Sequence, residues 1–315
     1  MHGLCRRIAF LVLLFVTMHG SQQVCATEPT PILQLPVRIT ESGSYALVGN
    51  LQFDGMRGAA IVIDVDNVAI DFGGQTISGL SDCNTLAIGV HAVGRRGISL
   101  SNGRITRFYF GIDIRPGKDA VNRCTGHVLS NLILDGNYYF GLRVAGEACE
   151  VRHCSITDTG GSARPGHTIP HGARLIGERN SMRDCKIIDL RLKRFAEGKG
   201  EIVGVHFDAA KDSVFERNHV IELTNQEDDV RQSGEVKPRR FGIWVNGGPD
   251  KNTFLTVRDN IFVGFPVAVA FAPGSDGRVT GNRFHDAADQ PIRGRPAAQL
   301  HENTIVDRHA SVHHD

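Results

Sequence analysis

Gly89-Val90-His91-Ala92 is the first of six occurrences of one phrase, in which a glycine is followed by an apolar, a variable and an apolar residue. The phrase returns as Gly111-Ile112-Asp113-Ile114, Gly141-Leu142-Arg143-Val144, Gly172-Ala173-Arg174-Leu175, Gly204-Val205-His206-Phe207 and Gly242-Ile243-Trp244-Val245. Apolar residues that alternate with a period of two are typical of a β-strand. Each occurrence therefore predicts one short strand.

A second phrase, an Asn or Cys followed closely by an apolar residue, comes after each strand. It occurs at Asn102, Asn131, Cys154, Cys185, Asn218, Asn260, Asn282 and Asn303, at intervals of 21 to 42 residues. Repeats of this length indicate a solenoid, because one unit cannot bury its own apolar residues and must stack on the next. Since Asn favours turns, we expect these positions at bends, with side chains turned inward to bond the neighbouring coil.

Stacking of the repeats predicts two buried columns of apolar side chains. The first column holds Val90, Ile112, Leu142, Ala173, Val205 and Ile243, and the second holds Ala92, Ile114, Val144, Leu175, Phe207 and Val245. After residue 26 the sequence has no long helical period. The sequence therefore predicts an all-β, single-domain parallel solenoid.

This pattern resembles the right-handed parallel β-helix family, the pectate-lyase-like superfamily. The stretch from Val68 to Gly79 is similar to the first coil of such proteins, and the stretch from Ile39 to Leu47 is similar to their usual lead-in. The resemblance covers roughly residues 36–307. It implies a right-handed parallel β-helix, a fold that carries lyases, hydrolases, epimerases, transferases and proteins without catalytic activity.

The N-terminus has the pattern of a secretory signal peptide over residues 1–26. Arg6 and Arg7 precede an apolar run that is too short to span a bilayer, and Val24-Cys25-Ala26 offers a cleavage site. We expect a periplasmic or secreted protein that is free of the membrane after cleavage; an uncleaved anchor is the alternative. The β-helix domain is predicted over 27–308, with a C-terminal tail over 309–315.

Charge and cysteine content set further bounds. The chain carries 35 basic and 34 acidic residues, so no global field attracts nucleic acid. Five cysteines follow the signal peptide, and export permits disulfides. Three pairings stay open: Cys83 with Cys124, Cys124 with Cys149, and Cys154 with Cys185. Cys154 and Cys185 occupy the same repeat position on successive coils, and we prefer to interpret them as small buried residues that stack without a disulfide. The final coil has no evident cap, which leaves room for an oligomer.

The variable residues of the first phrase indicate a site. Side chains alternate between the two faces of a strand, so the residue between the two apolar positions should point outward from every coil. We call these residues the row and expect it to be exposed; it comprises His91, Asp113, Arg143, Arg174, His206 and Trp244. A second outward row is formed by Arg115, Asp208 and Asn246.

Three consecutive coils carry insertions beside the row. The interval from the Asn or Cys to the next strand glycine is 9 and 10 residues in the first two coils, and then 18, 19 and 24 residues. The inserted segments, 160–167, 191–201 and 225–232, should stack into a wall. Insertions on one face of a solenoid commonly mark its binding face.

The residue types of the row suit an acidic polysaccharide. Arg143 and Arg174 can bind a uronate carboxylate through two parallel hydrogen bonds each, and Trp244 offers a flat apolar surface to a sugar ring. Asp113 and His91 extend the predicted substrate-binding row.

Neutralising a uronate carboxylate acidifies the neighbouring C5 proton, which a base can then remove in a lyase or epimerase reaction. His206 is the predicted base because histidine is the side chain that commonly exchanges protons near neutral pH. Asp208 would orient it, and His171 is a second acid/base candidate. Tyr138 or Tyr139 would act as general acid, and Tyr138 is also predicted to contact substrate.

Two other functions stay open at this level. A glycoside hydrolase or transferase would use Asp208 with Glu201 or Asp113, and a β-helix without catalytic activity would serve as a periplasmic glycan-binding or accessory protein. The sequence predicts no cofactor and no metal site, apart from calcium at the acidic loop 227–229.

Overall fold

The computed structural model describes residues 28–117, 124–164, 169–191, 200–223, 239–247, 253–287, 290–294 and 298–306, and strands form all the regular structure in these ranges. The strands are β1 (Thr30–Ile32), β2 (Val37–Ile39), β3 (Gly43–Leu47), β4 (Leu51–Gln52), β5 (Ala59–Ile63), β6 (Val68–Asp71), β7 (Thr76–Ser78), β8 (Ile88–Val93), β9 (Ser99–Thr106), β10 (Phe110–Arg115), β11 (Val128–Asp135), β12 (Phe140–Ala145), β13 (Glu150–Arg152), β14 (Ser155–Gly160), β15 (His171–Ile176), β16 (Ser181–Arg183), β17 (Lys186–Arg191), β18 (Glu201–Asp208), β19 (Ser213–Glu216), β20 (His219–Ile221), β21 (Arg239–Asn246), β22 (Thr253–Arg258), β23 (Ile261–Val263), β24 (Val267–Phe271), β25 (Ser275–Thr280), β26 (Arg283–His285), β27 (Ile292–Arg293), β28 (Ala298–His301) and β29 (Thr304–Val306).

The strands stack in three parallel ladders, one on each face of a β-helix. The first sheet, which carries the row, has the order β2-β5-β8-β10-β12-β15-β18-β21-β24-β27. The other two ladders share the long strands β9 and β11, where one strand bends from one face onto the next. Every pairing is between strands of successive coils, which confirms the predicted all-β parallel β-helix.

Both predicted apolar columns lie in the core in the expected register. Val90 pairs with Ile112, Ile112 with Leu142, and the pairing continues coil by coil to Ile243. All members of the two columns are buried. This core forms because each coil contributes the same inward positions, so that one coil covers the apolar side chains of the next.

The glycine of the first phrase is required by the close approach of neighbouring coils. A Cβ atom at Gly89, Gly111, Gly141, Gly172, Gly204 or Gly242 would lie only 2.4 to 2.6 Å from the carbonyl oxygen of the equivalent residue on the next coil. Only a residue without a side chain fits this distance. The repeat of glycine therefore reflects backbone packing.

The second phrase forms a ladder of side chains inside the helix over most of its length. The Cys185 N–H donates to Asn218 Oδ1 at 2.8 Å, and the Asn218 N–H donates to Asn260 Oδ1 at 2.8 Å. Asn282 and Asn303 continue the ladder at 3.0 Å. These contacts confirm the predicted inward bend residues from Cys185 onward, because each amide satisfies a buried backbone donor of the preceding coil.

The prediction was wrong for the first two members of that phrase. Asn102 and Asn131 are exposed, with φ angles of 58° and 54°, and Asn131 donates to Asn102 outside the core. Here Asn is itself the left-handed bend residue, whereas in later coils His153, Asp184 or Arg217 takes that conformation one position earlier. The inward position after Asn131 is held by Leu132, which is buried.

Cys124, Cys149, Cys154 and Cys185 form no disulfide, so none of the three pairings left open by the sequence is present. The Cys154 N–H donates to Cys185 Sγ at 3.4 Å, so these two residues belong to the ladder of side chains inside the helix, in line with the preferred interpretation. The predicted signal peptide, the C-terminal tail and the loop 225–232 lie outside the described residues, as do parts of the other two wall segments. Within the part of the chain that the structure describes, no helix is long and apolar enough to cross a membrane.

Candidate functional site

Strands β8, β10, β12, β15, β18 and β21 bring the whole row into one line. His91 pairs with Asp113, Asp113 with Arg143 and Arg143 with Arg174. Arg174 then pairs with His206, which pairs with Trp244. The predicted alignment is confirmed, but the expected exposure is not, because Asp113 is only 1% exposed and the other five members are partly buried.

Asp113 is buried because its neighbours on both sides cover it. Arg143 Nε donates to Asp113 Oδ1 at 2.7 Å, and His91 Nδ1 lies 3.3 Å from Oδ2. Arg115 Nε lies 3.7 Å from Oδ2. Burial alone would raise the pKa of Asp113, but the hydrogen bonds from His91 and Arg143 outweigh it and lower the pKa below its ordinary value. Asp113 therefore stays ionised and holds its neighbours instead of meeting a ligand.

A second carboxylate holds the other arginine in the same way. Arg174 Nε donates to Asp208 Oδ2 at 2.7 Å, and Asn246 Nδ2 donates to Oδ1 at 3.2 Å. His206 Nε2 lies 3.1 Å from Oδ1, outside hydrogen-bond geometry. Burial would raise the pKa of Asp208, but His206 and Arg174 together lower it to about 2. The predicted contact between Asp208 and His206 is present, although Asp208 also fixes Arg174.

Arg143 and Arg174 therefore share one arrangement on successive coils. Each is anchored through Nε, and among the described residues the terminal Nη groups have no hydrogen-bond partner. Their side chains are 20% and 31% exposed. The Arg143 guanidinium also lies 4.6 Å from the centroid of the Phe110 ring. Asp113 lies on the coil before Arg143 and Asp208 on the coil after Arg174, so the two guanidinium groups lean in opposite directions along the row, each with its two terminal nitrogens in a fixed orientation.

His206 of the row stacks against His171, the residue before the phrase glycine of the preceding coil. His171 Nδ1 lies 2.9 Å from the Ile169 carbonyl oxygen, and His171 Nε2 lies 3.0 Å from His206 Nδ1. His171 is buried and stacks on Phe140 as well, with centroids 4.6 Å apart. Burial, with the charges of His206 and Arg174, holds the pKa of His171 well below its ordinary value. Since both its nitrogens are engaged, His171 is placed to orient His206.

Sequence reasoning missed an inner row that flanks the first. It consists of the residue before each phrase glycine, which is Ile88, Phe110, Phe140, His171, Val203 and Phe241. Trp244 packs edge-on against Phe241, with ring centroids 4.7 Å apart, and is partly buried. The aromatic residue before three of the six glycines was the signal that could have revealed this apolar border.

Tyr138, a predicted substrate contact, does not lie on the face of the row. Its hydroxyl donates to the Leu80 carbonyl oxygen at 3.3 Å, and the ring lines a separate polar groove of about 730 Å³ that also holds Arg104 and Asp135. Tyr139 takes the place near the row instead and packs edge-on against Phe140. The reason is the alternation of faces, which sends two consecutive tyrosines in different directions.

The predicted calcium loop lies outside the described residues. Within the described ranges, no group of three or more His, Cys, Asp and Glu side chains is arranged to hold a metal ion.

No family model and no curated protein sequence matches this chain. Its structure is similar to that of pectate lyase Pel9A, with a TM-score of 0.51 and 12% identity over 81% of this chain and 72% of the other. It is also similar to an alginate lyase from Paenibacillus sp. str. FPU-7, with a TM-score of 0.47 and 12% identity over 81% and 92% of the two chains. The chain thus has the pectate-lyase-like parallel β-helix fold, and an identity this low shows the fold alone.

Proposed function

We propose that the row binds an acidic polysaccharide and that the protein removes the proton beside a bound carboxylate, as a lyase or an epimerase. The observation that carries this proposal is the pair Arg143 and Arg174, each fixed through Nε by a carboxylate while its terminal nitrogens bond no described residue. Planar guanidinium groups fixed in this way suit bidentate binding of carboxylate oxygens. The pectate lyase with a similar fold acts, by its name, on an acidic polysaccharide.

The geometry of the row fits a polymer. Its six members follow the coil spacing of about 4.8 Å, so the row extends over about 24 Å from His91 to Trp244. An extended chain of sugars that runs along the row would meet a new side chain at every coil. The apolar inner row and Trp244 form a border against which the less polar faces of sugar rings can pack.

A hydrolase mechanism fits the row less well. Asp113 and Asp208 belong to strands three coils apart, about 14 Å by strand spacing, whereas the two carboxyl groups of a glycosidase lie about 5–10 Å apart. Glu201 pairs with Arg239. Proton removal needs no second carboxylate, since the arginine pair can neutralise the uronate group and stabilise the charge that develops on it.

Calorimetric titration with oligomers of galacturonate, alginate and a neutral glucan tests binding. We expect acidic oligomers to bind the wild type. Arg174→Lys should weaken that binding at least about tenfold, because the ammonium group of lysine cannot form the two parallel hydrogen bonds of the planar guanidinium. Arg152→Lys, which changes an exposed arginine on another face, serves as the matched control. Equal affinity of Arg174→Lys and wild type would contradict the proposal.

Turnover is measured on the same substrates. Ultraviolet absorbance of an unsaturated product reports elimination, and proton NMR of the uronate residues reports epimerisation. Parallel runs with calcium and with EDTA test a calcium requirement. Binding without either reaction would leave a glycan-binding protein.

We further propose that residues 1–26 direct export, which brings the protein to extracellular or periplasmic polysaccharide. N-terminal sequencing of the exported protein should begin at Thr27. A cytoplasmic, full-length chain would overturn this part of the proposal.

A further inference from the structure

We propose that His91, held by Asp113, is the general base of this site and that His206 is a positioning residue. This inference rests on the proposed function and names a different proton acceptor from the one that the sequence suggested.

The contacts of His91 fix which of its nitrogens carries a proton. Nδ1 lies 3.2 Å from the backbone carbonyl oxygen of Asp113 and 3.3 Å from its Oδ2. Both oxygens are acceptors only, so Nδ1 carries the hydrogen and neutral His91 has its lone pair on Nε2. Within the described part of the chain, no hydrogen-bond partner contacts Nε2. The side chain is 18% exposed and lines a cavity of about 440 Å³.

His206 is placed differently. The Nδ1–H of His171 donates to a carbonyl oxygen, so the Nε2 of neutral His171 accepts and His206 Nδ1 must donate to it. The remaining nitrogen, His206 Nε2, is buried and lies beside the Asp208 carboxylate. Neither nitrogen of His206 is therefore open to a ligand in the groove.

Asp113 joins the open imidazole to the carboxylate-binding arginines. Its Oδ1 accepts from Arg143 Nε, and its Oδ2 contacts His91 Nδ1. The two side chains thus flank a single buried carboxylate. A uronate group bound to the terminal nitrogens of Arg143 would therefore lie beside the side chain that shares Asp113 with it, which is His91.

The cavity at His91 can accommodate such a ring. Val62, Ile88 and Val93 form an apolar lining, and the ion-paired Arg38 and Asp64 lie at its rim. Pockets with an apolar lining and a few fixed polar groups are typical of ligand sites.

The charges around His91 are few. Besides Arg38 and Asp64 they are Asp113, Arg115 and Arg143, with Asp113 in direct contact. Asp113 stabilises the imidazolium that forms when Nε2 takes a proton.

The proposed step balances without a cofactor. Nε2 takes the C5 proton, and the electron pair of the C5–H bond spreads onto the carboxylate bound by Arg143. In elimination this pair forms the C4–C5 double bond, the C4–O bond breaks, and the leaving oxygen takes a proton from water. In epimerisation a water molecule on the opposite face gives a proton to C5, and the hydroxide that remains is neutralised by the proton that His91 releases to solvent.

The first test compares the variants His91→Gln, His206→Gln and His219→Gln, the last an exposed histidine on another face. We expect His91→Gln to lower kcat at least 100-fold, within the range for loss of a general base, with affinity for the acidic oligomer changed less than threefold. His219→Gln should match wild type. A kcat for His91→Gln within threefold of wild type, a greater loss in His206→Gln, or no reaction of the wild type on any acidic oligomer that it binds would overturn the assignment.

A second test does not depend on turnover. Nitrogen-15 NMR of the imidazoles, recorded above the ordinary imidazole pKa of about 6.5, should show His91 protonated at Nδ1 and unprotonated at Nε2. An acidic oligomer that binds should shift the Nε2 resonance. The opposite tautomer, or binding that leaves this resonance unchanged, refutes the role of His91 alone, whereas absence of binding refutes the proposed function itself.

Discussion

Replacing Gly172 with alanine should destabilise the β-helix at the coil that carries the site. The new Cβ would lie 2.6 Å from the Gly204 carbonyl oxygen and 2.8 Å from Ile187 Cγ2. Ile187 is a packed core residue, so neither neighbour can yield without moving part of a strand. Overpacking of this kind costs about 1–3 kcal/mol, while the loss of chain entropy in the unfolded state returns about 0.4–1 kcal/mol. We expect a net loss of about 1–2 kcal/mol.

The assay is urea denaturation followed by fluorescence of Trp244, the single tryptophan of the chain. Trp244 lies two coils from Gly172 on the same sheet, so it reports the region in which the strain arises. Because repeat proteins can unfold in parts, midpoints are compared instead of extrapolated free energies. Gly172→Ala should lower the midpoint, and it should also weaken binding of acidic oligomers, since Arg174 lies two residues away.

The matched control is Gly49→Ala. A Cβ at Gly49 meets no atom within 4 Å, and its φ is not in the left-handed region. This variant should unfold at the wild-type midpoint or slightly above it. If Gly172→Ala is as stable as Gly49→Ala, the coils are not held at the distance that the glycine ladder implies, and the physical account of the repeat is refuted.

Two further changes test other parts of the fold. Asn260→Ala removes the acceptor of the Asn218 N–H inside the core. The buried donor left unpaired should lower the free energy of unfolding by about 1–3 kcal/mol, measured by the same denaturation. Asn102→Ala, which changes an exposed bend, serves as the control and should cost less. His127 is fully buried, and burial lowers its pKa to about 4. The histidine binds a proton more readily in the unfolded chain. Its contribution to the free energy of unfolding is therefore fully present above about pH 6.5 and falls by about 3 kcal/mol toward pH 4. His127→Gln should lose that pH dependence, and His219→Gln should retain it; equal slopes in all three proteins would contradict the burial argument.

The register of the fold could be predicted from sequence because every coil repeats the same inward positions. Val90, Ile112 and Leu142 align through the phrase itself, and no knowledge of distant contacts is needed. The bend ladder could be predicted only in part, since an Asn serves equally well as an exposed left-handed residue at position 131 or as an inward amide at position 218. Composition does not separate these two roles.

The line of site residues was also predictable, but their roles were not. Burial of Asp113 depends on where Arg143 and His91 direct their polar atoms, and a one-residue pattern carries no such information. The roles of His91 and His206 depend on which ring nitrogen is engaged, which only the neighbouring carbonyl and imidazole groups decide.

Stacking at a fixed coil distance imposes an electrostatic condition on the row. Two arginines on adjacent strands repel one another, and the structure offsets this by giving each one its own carboxylate, the buried Asp113 for Arg143 and the partly buried Asp208 for Arg174. The pair is therefore close to neutral before a ligand arrives, so affinity should depend on the fixed orientation of the free nitrogens more than on excess charge. The same ion pairs make truncation a poor test of binding, because removing one guanidinium leaves a buried carboxylate without its partner, a loss of about 3–5 kcal/mol. Lysine keeps the charge and removes the fork, and so isolates the geometry on which the proposed function rests.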